Sequence, residues 1–364
     1  MVIRRTPGLL LSVALLVGAC SSGGGDGVLA RSDERAGGTA PTTIDTTAEA
    51  ITSTTALPPD TSTTAAPPET TTTTAPPPPS PSPTALPASP GDGEPRALLT
   101  TTGVMVAVLG VEDGGFRVRT PCGGEATIAG GTPISAATVV LDPGHGGGEA
   151  GAVGANGLTE KALNLAVAER TKAILDAQGA TVVLTRTGDY RITLGARADI
   201  VKALGPPVFV SIHHNGDGDG PSPKPGTETY FQVAAPESRR LAGLVYEELF
   251  ALFSTYEGIA WMADTDAGTK YRTNSRGGDY YGMLRQTAGV TAALSEALFI
   301  SNPPEAELLA RPEVHEAEAE ALARAITRHL TTQDPGSGFT EPYPRTDPGG
   351  PGGGSSGCID PPLA

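Results

Sequence analysis

Two histidines and two glutamates in this chain stand where they could act together on a metal ion. His145 follows an apolar run and a glycine turn, and His213 ends a second apolar run. Glu160 lies between them in the sequence, shortly after the first histidine. Two imidazoles and a carboxylate are the ligand set of a catalytic zinc site, which keeps a fourth position open for water. Glu296 lies late in the chain and could be the acid/base partner of such a site.

Alternating strands and helices surround these four residues. Short β-branched runs predict strands and amphipathic runs predict helices. The predicted strands cover 138–141, 181–185, 208–212, 227–233 and 291–299. The predicted helices cover 160–178, 194–204, 237–253, 280–287 and 313–330. This alternation predicts an α/β fold with helices on both faces of one sheet.

The predicted elements bring the candidate residues to one edge of the sheet. In open α/β sheets the functional crevice lies beyond the carboxyl ends of the strands, so we expect His145 and His213 in the same crevice. Gly144 allows a sharp turn that passes close to a bound ion. Glu160 follows Thr159, a candidate helix N-cap, where a negative charge is favoured. Each residue alone is more often structural, and only their convergence favours a metal site.

Several motifs stand in a fixed order along residues 138–332. They are Leu141-Asp142-Pro143-Gly144-His145-Gly146-Gly147, Thr159-Glu160-Lys161 with Asn164, Thr185-Arg186, Ser211-Ile212-His213-His214-Asn215, Gly226-Thr227-Glu228-Thr229-Tyr230, Leu284-Arg285, and Glu296 with Phe299-Ile300-Ser301-Asn302-Pro303. With these motifs the segment resembles the family 3 zinc-dependent N-acetylmuramoyl-L-alanine amidases, which cut bacterial peptidoglycan. The resemblance covers a little over half of the chain. It implies a mainly parallel twisted sheet with flanking helices, in agreement with the alternation above.

The resemblance also implies roles for individual residues. His145, Glu160 and His213 would bind one Zn²⁺ ion, and Glu296 would be the catalytic carboxylate. His214 stands where the family commonly has a small residue, so the histidine doublet leaves a choice of ligand, and motif alignment favours His213. Four residues are candidates for substrate contact or for support of the ligands: His214, Asn215, Glu228 and Arg285. Asn302 is expected to be a structural turn former.

The implied reaction is hydrolysis of the amide between the lactyl group of N-acetylmuramic acid and L-alanine in peptidoglycan. Two alternatives stay open. A zinc peptidase that cuts within the stem peptide would use the same metal site. A non-catalytic wall-binding protein with a relic site is the other, although the full set of four candidate residues argues against loss of activity.

The first twenty residues carry the features of an export signal. Arg4 and Arg5 precede an apolar run over 9–17 that is too short to span a membrane comfortably. The following Val17-Gly18-Ala19-Cys20 resembles the bacterial lipobox, in which cleavage leaves a lipid-bearing cysteine. We therefore expect an exported lipoprotein, anchored through Cys20 to the outer face of the cytoplasmic membrane and reaching the cell wall. An ordinary cleaved secretory signal is the alternative.

The chain divides by composition into five regions. The predicted regions are a lipoprotein signal peptide (1–20), a disordered Thr/Pro-rich linker (21–96), a small β segment (97–136), the zinc amidase catalytic domain (137–332) and a Gly/Pro-rich tail (333–364). Strand-like runs around Asp113-Gly114 predict a β-hairpin in the small segment. That segment either packs on the main domain or binds the wall.

Charge and cysteine content narrow the possible partners. The formal net charge of −15 and the pI near 4.8 argue against nucleic acid, because phosphate binding needs basic patches. Cys122 and Cys358 would meet an oxidising compartment after export, so we expect them to form a disulfide. Two unpaired thiols are the alternative. We expect a monomer whose partner is peptidoglycan.

Overall fold

The computed structural model describes residues 85–86, 93–112, 114–218, 220–256, 267–340 and 354–364. The predicted signal peptide with Cys20, and most of the predicted linker, lie outside these residues. Within the described parts of the chain, none of the helices combines the length and the apolar character needed to cross a membrane.

Five short strands form an antiparallel sheet before the main domain. They are β1 (Ala97–Leu99), β2 (Met105–Glu112), β3 (Gly115–Arg119), β4 (Glu125–Ile128) and β5 (Thr132–Ile134), in the order β4-β3-β2-β1-β5. The predicted hairpin is confirmed as β2 and β3. The sequence missed β1 and β5 because three residues are too few to show strand alternation.

Six further strands form the central sheet. They are β6 (Val139–Pro143), β7 (Val182–Leu184), β8 (Val208–Asn215), β9 (Glu228–Phe231), β10 (Gly268–Lys270) and β11 (Ala292–Phe299), in the order β10-β9-β11-β8-β6-β7. All neighbours are parallel except β9 and β11. The predicted mainly parallel sheet is therefore confirmed.

Helices cover both faces of this sheet, as predicted. They are α1 (Glu160–Ala177), α2 (Leu194–Leu204), α3 (Pro236–Phe253), α4 (Gly282–Gln286), α5 (Pro303–Leu309) and α6 (Pro312–Thr331). Strand side chains alternate between the faces. On β8, Val208 and Val210 pack into a core with α1, α3 and α6, whereas Phe209 packs into a second core with α2 and α4. The N-terminal sheet contributes Met105 to this second core.

Two differences from the sequence prediction concern element ends. β8 continues to Asn215, so His213 lies within the strand, because pairing with β11 extends that far. The polar His-His-Asn run hid this continuation. The unpredicted α5 has only seven residues, and the Asn302 side chain caps it by accepting a hydrogen bond from the Glu305 N–H. Asn302 is thus a helix cap at the turn where we expected a structural residue.

The predicted disulfide between Cys122 and Cys358 is present. It holds the last described residues, 354–364, against the N-terminal sheet and its surroundings. The Cys122 N–H donates to Asp360 at 2.7 Å, and Thr102 Oγ1 donates to the Pro362 carbonyl at 2.6 Å. Arg191 Nη1 donates to the Ser356 carbonyl at 2.8 Å.

Candidate metal centre

Strand register places three candidate residues in a row across the central sheet. His213 on β8 lies opposite Glu296 on β11, and Glu296 lies opposite Glu228 on β9. Residues directly opposite each other project from the same face, and neighbouring strands are about 4.8 Å apart. The row therefore forms one wall of a cleft at the face covered by α2 and α4.

The three predicted metal ligands converge on one point beside this row. His145 Nε2 lies 3.1 Å from Glu160 Oε2, and His213 Nδ1 lies 2.9 Å from Glu160 Oε1. One ligand atom from each residue lies within 4.8 Å of the others. Two imidazole nitrogens and one carboxylate oxygen fit the donor set of a catalytic zinc site.

Two glycines make this convergence possible. A Cβ on Gly144 would lie 2.1 Å from His213 Cε1, so no side chain fits between the turn and the imidazole. Gly151 has φ +71°, and a Cβ there would lie 2.4 Å from Glu160 Oε2. His145 itself adopts φ 61°, an uncommon conformation for a residue with a side chain. The turn is thus shaped to present this imidazole.

Hydrogen bonds from the backbone and from one side-chain amide fix the carboxylate of Glu160. Thr159 occupies the predicted N-cap position, although its side chain makes no cap hydrogen bond. Instead, Glu160 Oε2 accepts a hydrogen bond from the Ala152 N–H at 2.8 Å. The Asn164 amide donates to the other oxygen at 3.3 Å. The carboxylate therefore has a fixed orientation toward both imidazoles.

A buried ion pair supports the turn that carries His145. Arg197 Nη1 lies 2.7 Å from Asp142 Oδ1 and also donates to the Pro143 carbonyl at 2.7 Å. Thr185 and Ser211 donate to the same carboxylate. Burial raises the pKa of Asp142, but the Arg197 charge and these hydrogen bonds outweigh it and hold the pKa below its usual value. We call Asp142, Thr185, Arg197 and Ser211 the Asp142 network.

A second buried arginine reinforces the same turn. Arg186 Nη2 donates to the Gly144 carbonyl at 3.1 Å and to the Lys161 carbonyl at 3.0 Å. It therefore ties the turn to the start of α1. The sequence motifs include Arg186 without indicating its role, and Arg197 was not among the predicted site residues. The available signal was that Arg197 stands on the apolar stripe of α2, where a charge needs a partner.

Glu296 has an environment opposite to that of Asp142. Its Oε2 atom is buried and has no hydrogen-bond partner among the described residues. Burial, followed by the nearby charges of Glu160 and Glu228, raises the pKa of Glu296 well above its usual value. An unpaired buried carboxyl that favours its protonated form is typical of a functional acid or base.

His145 faces a second carboxylate on its outer side. Its Nδ1 atom lies 3.3 Å from Glu149 Oε1, although the pair is not aligned for a hydrogen bond. Burial lowers the pKa of His145, but Glu149 and Glu160 outweigh it and raise the pKa to about 10. The two carboxylates thus favour a positive charge at the point where a divalent cation would bind.

His214 points away from the cleft, into the core behind it. Its Nδ1 lies 2.8 Å from Asn164 Oδ1, and its Nε2 lies 3.1 Å from Glu318 Oε2 on α6. The His214 side chain reaches the ligand set through Asn164, which donates to Glu160, and the His214 backbone N–H donates to Glu160 Oε1 at 3.3 Å. Of the two expected roles, this placement fits support of the ligands and not substrate contact, because successive side chains alternate across a strand. Glu318 was missed, although it stands among the buried residues of α6.

The cleft consists of two adjoining cavities. The larger, of about 350 Å³, is lined by His145, His213 and Glu296, and its apolar lining includes Ile192, Leu194, Met283 and Leu294. A smaller polar cavity of about 100 Å³ lies beyond Tyr281, which lines both. An apolar wall beside the candidate metal point would limit the access of bulk water.

The remaining candidate residues divide between the second cavity and the loop above it. Asn215 donates to Glu228, and Lys270 Nζ lies 2.7 Å from the same carboxylate. Both Asn215 and Glu228 line the smaller cavity. Arg285 lines neither cavity, because its Nη1 donates to the Asp279 and Tyr280 carbonyls at 2.9 and 2.7 Å. It holds the loop that carries Tyr280.

Comparison with known proteins identifies the family of this domain. Residues 139–328 match the family described as N-acetylmuramoyl-L-alanine amidase. The chain is 35% identical over 196 residues to the uncharacterized protein YqiI of Bacillus subtilis (strain 168), covering 53% of this chain and 85% of that protein. It is 32% identical over 192 residues to the N-acetylmuramoyl-L-alanine amidase LytC of the same organism, covering 52% of this chain but only 35% of LytC.

A third relative and one solved structure complete the comparison. The germination-specific N-acetylmuramoyl-L-alanine amidase of Bacillus subtilis is 30% identical over 213 residues, covering 55% of this chain and 82% of that protein. Cwp6 from Clostridium difficile is 28% identical, with a TM-score of 0.49, covering 57% of this chain and 32% of that chain. The match over residues 139–328 places the motifs and the candidate metal point inside one known family, and the chain belongs to the N-acetylmuramoyl-L-alanine amidases of family 3.

Proposed function

We propose that residues 137–332 form a zinc-dependent amidase that hydrolyses the bond between N-acetylmuramic acid and L-alanine in peptidoglycan. The observation that carries the proposal is the convergence of His145, Glu160 and His213 on one point, facing Glu296, whose Oε2 atom has no hydrogen-bond partner among the described residues. Family membership supports the choice of substrate and bond.

Each of the four residues has a role that follows from its surroundings. His145, Glu160 and His213 would hold one zinc ion, which when bound supplies polarisation of the scissile carbonyl and an activated water at neutral pH. Glu296 takes the proton of the attacking water and passes it to the departing nitrogen. Its burial beside two other carboxylates favours a proton on its oxygen, which suits the second of these transfers.

The supporting residues keep this arrangement in place. The Asp142 network and Arg186 fix the backbone carbonyls of the turn, so His145 keeps its unusual φ. The apolar wall with Leu194 and Met283 would exclude bulk water from the reacting atoms. Among the substrate candidates, Asn215 and Glu228 lie where a substrate chain would continue beyond Glu296.

Mass analysis of fragments released from purified sacculi tests the proposal. We expect stem peptides that begin with a free L-alanine amine, together with glycan strands bearing intact lactyl groups. Cuts inside the stem peptide would instead establish the zinc peptidase alternative. Absence of any released peptide from freshly metallated protein would favour the non-catalytic wall-binding alternative.

The exported lipoprotein form is also part of the proposal. It is supported by the charged start, the short apolar run and Cys20, all from the sequence alone. The linker over 21–96 would then let a monomeric catalytic domain reach the wall from the membrane. We expect Cys20→Ser to move the protein from the membrane fraction to the soluble fraction. A variant that stays in the membrane fraction would exclude the lipid anchor.

A further inference from the structure

Basic residues outnumber acidic ones in the lining of the smaller cavity beside Glu296, in a chain of net charge −15. We call this cavity the cationic pocket. Its basic lining residues are Lys224, Lys270 and Arg272, and its acidic ones are Asp217 and Glu228. Asn215, Tyr230 and Tyr281 add polar groups. The volume of about 100 Å³ is several times the roughly 30 Å³ that one water occupies, so it has room for a carboxylate.

Arg272 is fixed in this pocket with a donor to spare. Its guanidinium lies 3.5 Å from the centroid of the Tyr280 ring, on which it stacks. Its Nε atom is buried and has no hydrogen-bond partner within the described part of the chain. A buried N–H without a partner costs free energy unless a ligand or water accepts its hydrogen bond. The side chain is therefore preorganised for an acceptor.

The carboxylates in the pocket already have partners. Glu228 lies 2.7 Å from Lys270 Nζ and accepts from the Tyr230 hydroxyl at 2.9 Å. Asp217 accepts from the Ser222 hydroxyl at 2.8 Å. Both lining carboxylates are thus engaged within the protein, and Arg272 is a basic lining residue whose buried donor lacks a partner among the described residues.

Strand register shows which end of a substrate would reach this pocket. Glu228, on the pocket wall, lies directly opposite Glu296, one strand spacing of about 4.8 Å away. His213, a candidate metal ligand, lies on the other side of Glu296. Because Glu296 protonates the departing nitrogen, the chain attached to that nitrogen continues away from the metal point and toward the pocket.

We propose that the cationic pocket binds a carboxylate of the stem peptide, on the leaving-amine side of the scissile bond, with Arg272 as the principal contact. The inference rests on the proposed function. A residue spans at most about 3.6 Å along an extended chain, so the group recognised lies within about two residues of the bond cut. In a stem that begins L-alanyl-γ-D-glutamate, this group is the α-carboxylate of the second residue.

A matched pair of muropeptides tests the proposal, one with this carboxylate free and one with it converted to a carboxamide. We expect wild-type kcat/KM to be about ten- to a hundred-fold higher for the free carboxylate, as for loss of a charge-assisted hydrogen bond. The difference should lie chiefly in KM, since the contact is also made before the transition state. Arg272→Gln should abolish the preference by lowering kcat/KM for the carboxylate substrate alone.

Two further variants separate recognition from folding. Arg272→Lys keeps the charge and should retain part of the preference. Arg311→Gln removes one charge from an exposed arginine outside the pocket and should leave the preference as in wild type. Equal turnover of the two substrates by the wild type, or an equal loss on both in Arg272→Gln, would overturn the inference.

Calorimetry gives a readout that needs no turnover. The dipeptide L-alanyl-γ-D-glutamate should bind the metal-free protein at least about tenfold more tightly than its α-amide, and Arg272→Gln should remove that difference. Equal binding of the two dipeptides by the wild type would refute the pocket assignment. The bond that is cut tests the proposed function separately. That function is wrong if the wild type cuts both muropeptides at a bond other than the one before L-alanine.

Discussion

Asp142 and Glu296 are both buried carboxyl groups near the carboxyl ends of central strands, yet they have opposite surroundings. Asp142 is 1% exposed and Glu296 is 9% exposed. Asp142 has an arginine and two hydroxyl donors, and its pKa is lowered. Among the residues that the structure describes, one oxygen of Glu296 has no partner; two carboxylates lie nearby, and the pKa of Glu296 is raised.

This difference separates support from chemistry within one site. A fully paired carboxylate stays charged and fixes its neighbours, so it serves to hold the turn before His145. An unpaired one can gain and lose a proton, so it serves the reaction. Burial alone does not distinguish the two; the partners on each oxygen do.

Removal of the Glu296 carboxylate is expected to have the largest effect. Glu296→Gln should lower kcat by about 10²- to 10⁴-fold, the range for loss of a general acid or base. Bound metal and fold should be retained, as measured by metal content and circular dichroism. Glu320→Gln, on the exposed face of α6, is the matched control and should keep wild-type turnover. Near-normal activity of Glu296→Gln would place the acid/base role elsewhere.

The corresponding change of a carboxylate to an amide at Asp142 should lower stability. Asp142→Asn leaves Arg197 buried without its partner, so the free energy of unfolding should fall by about 3–5 kcal/mol in urea denaturation. Asp176→Asn breaks an exposed pair with Lys172 and should lower the free energy of unfolding by about 1 kcal/mol or less. If the two variants were equally stable, Asp142 would not be the support described here.

The disulfide belongs neither to the Asp142 network nor to the surroundings of Glu296, so it provides a third point of comparison. Replacing Cys122 and Cys358 together by Ser should lower the free energy of unfolding by about 2–5 kcal/mol, because the open chain gains entropy when unfolded. Turnover of the folded fraction should stay near that of the wild type. A large loss of kcat in folded protein would show that the tail also shapes the cleft.

The smallest effect concerns the pH dependence of stability in the metal-free protein. The raised pKa of Glu296 opposes folding as pH rises above its unfolded value of about 4.3. Glu296→Gln should therefore equal the wild type near pH 4 and be about 0.5–2 kcal/mol more stable at pH 7. Asp142, with its lowered pKa, supplies stability that is lost as pH falls through its folded pKa. A wild type more stable than Glu296→Gln at pH 7 would contradict this sign.

Most of the fold follows from local pattern. The helix predicted over 194–204 has the same bounds in the structure, and the alternation of elements gave the sheet with helices on both faces. Short elements were missed: β10 has three residues and α5 has seven, too few for a periodic signal. The end of β8 was missed because its last residues are polar and stay in the strand through pairing with β11.

The candidate site was predictable in its ligands but not in its partners. Among the candidate ligands, His145 follows a strand, His213 lies near the end of one and Glu160 begins a helix, so the order of elements brings them together. Arg197 and Glu318 contact Asp142 and His214 from distant parts of the sequence, and only the packing of α2 and α6 shows these pairs. Arg272 was missed for a similar reason: it follows no predicted strand, so the predicted order of elements does not place it near Glu296.

The central claim is that His145, Glu160 and His213 share one metal ion facing Glu296. Anomalous diffraction at the zinc absorption edge, from crystals of the zinc-loaded protein, tests it most directly. We predict one strong peak about 2.0–2.2 Å from a nitrogen of each imidazole and from a Glu160 oxygen. A peak bound by other residues, or no peak at this point in protein that cleaves its substrate, would contradict the account.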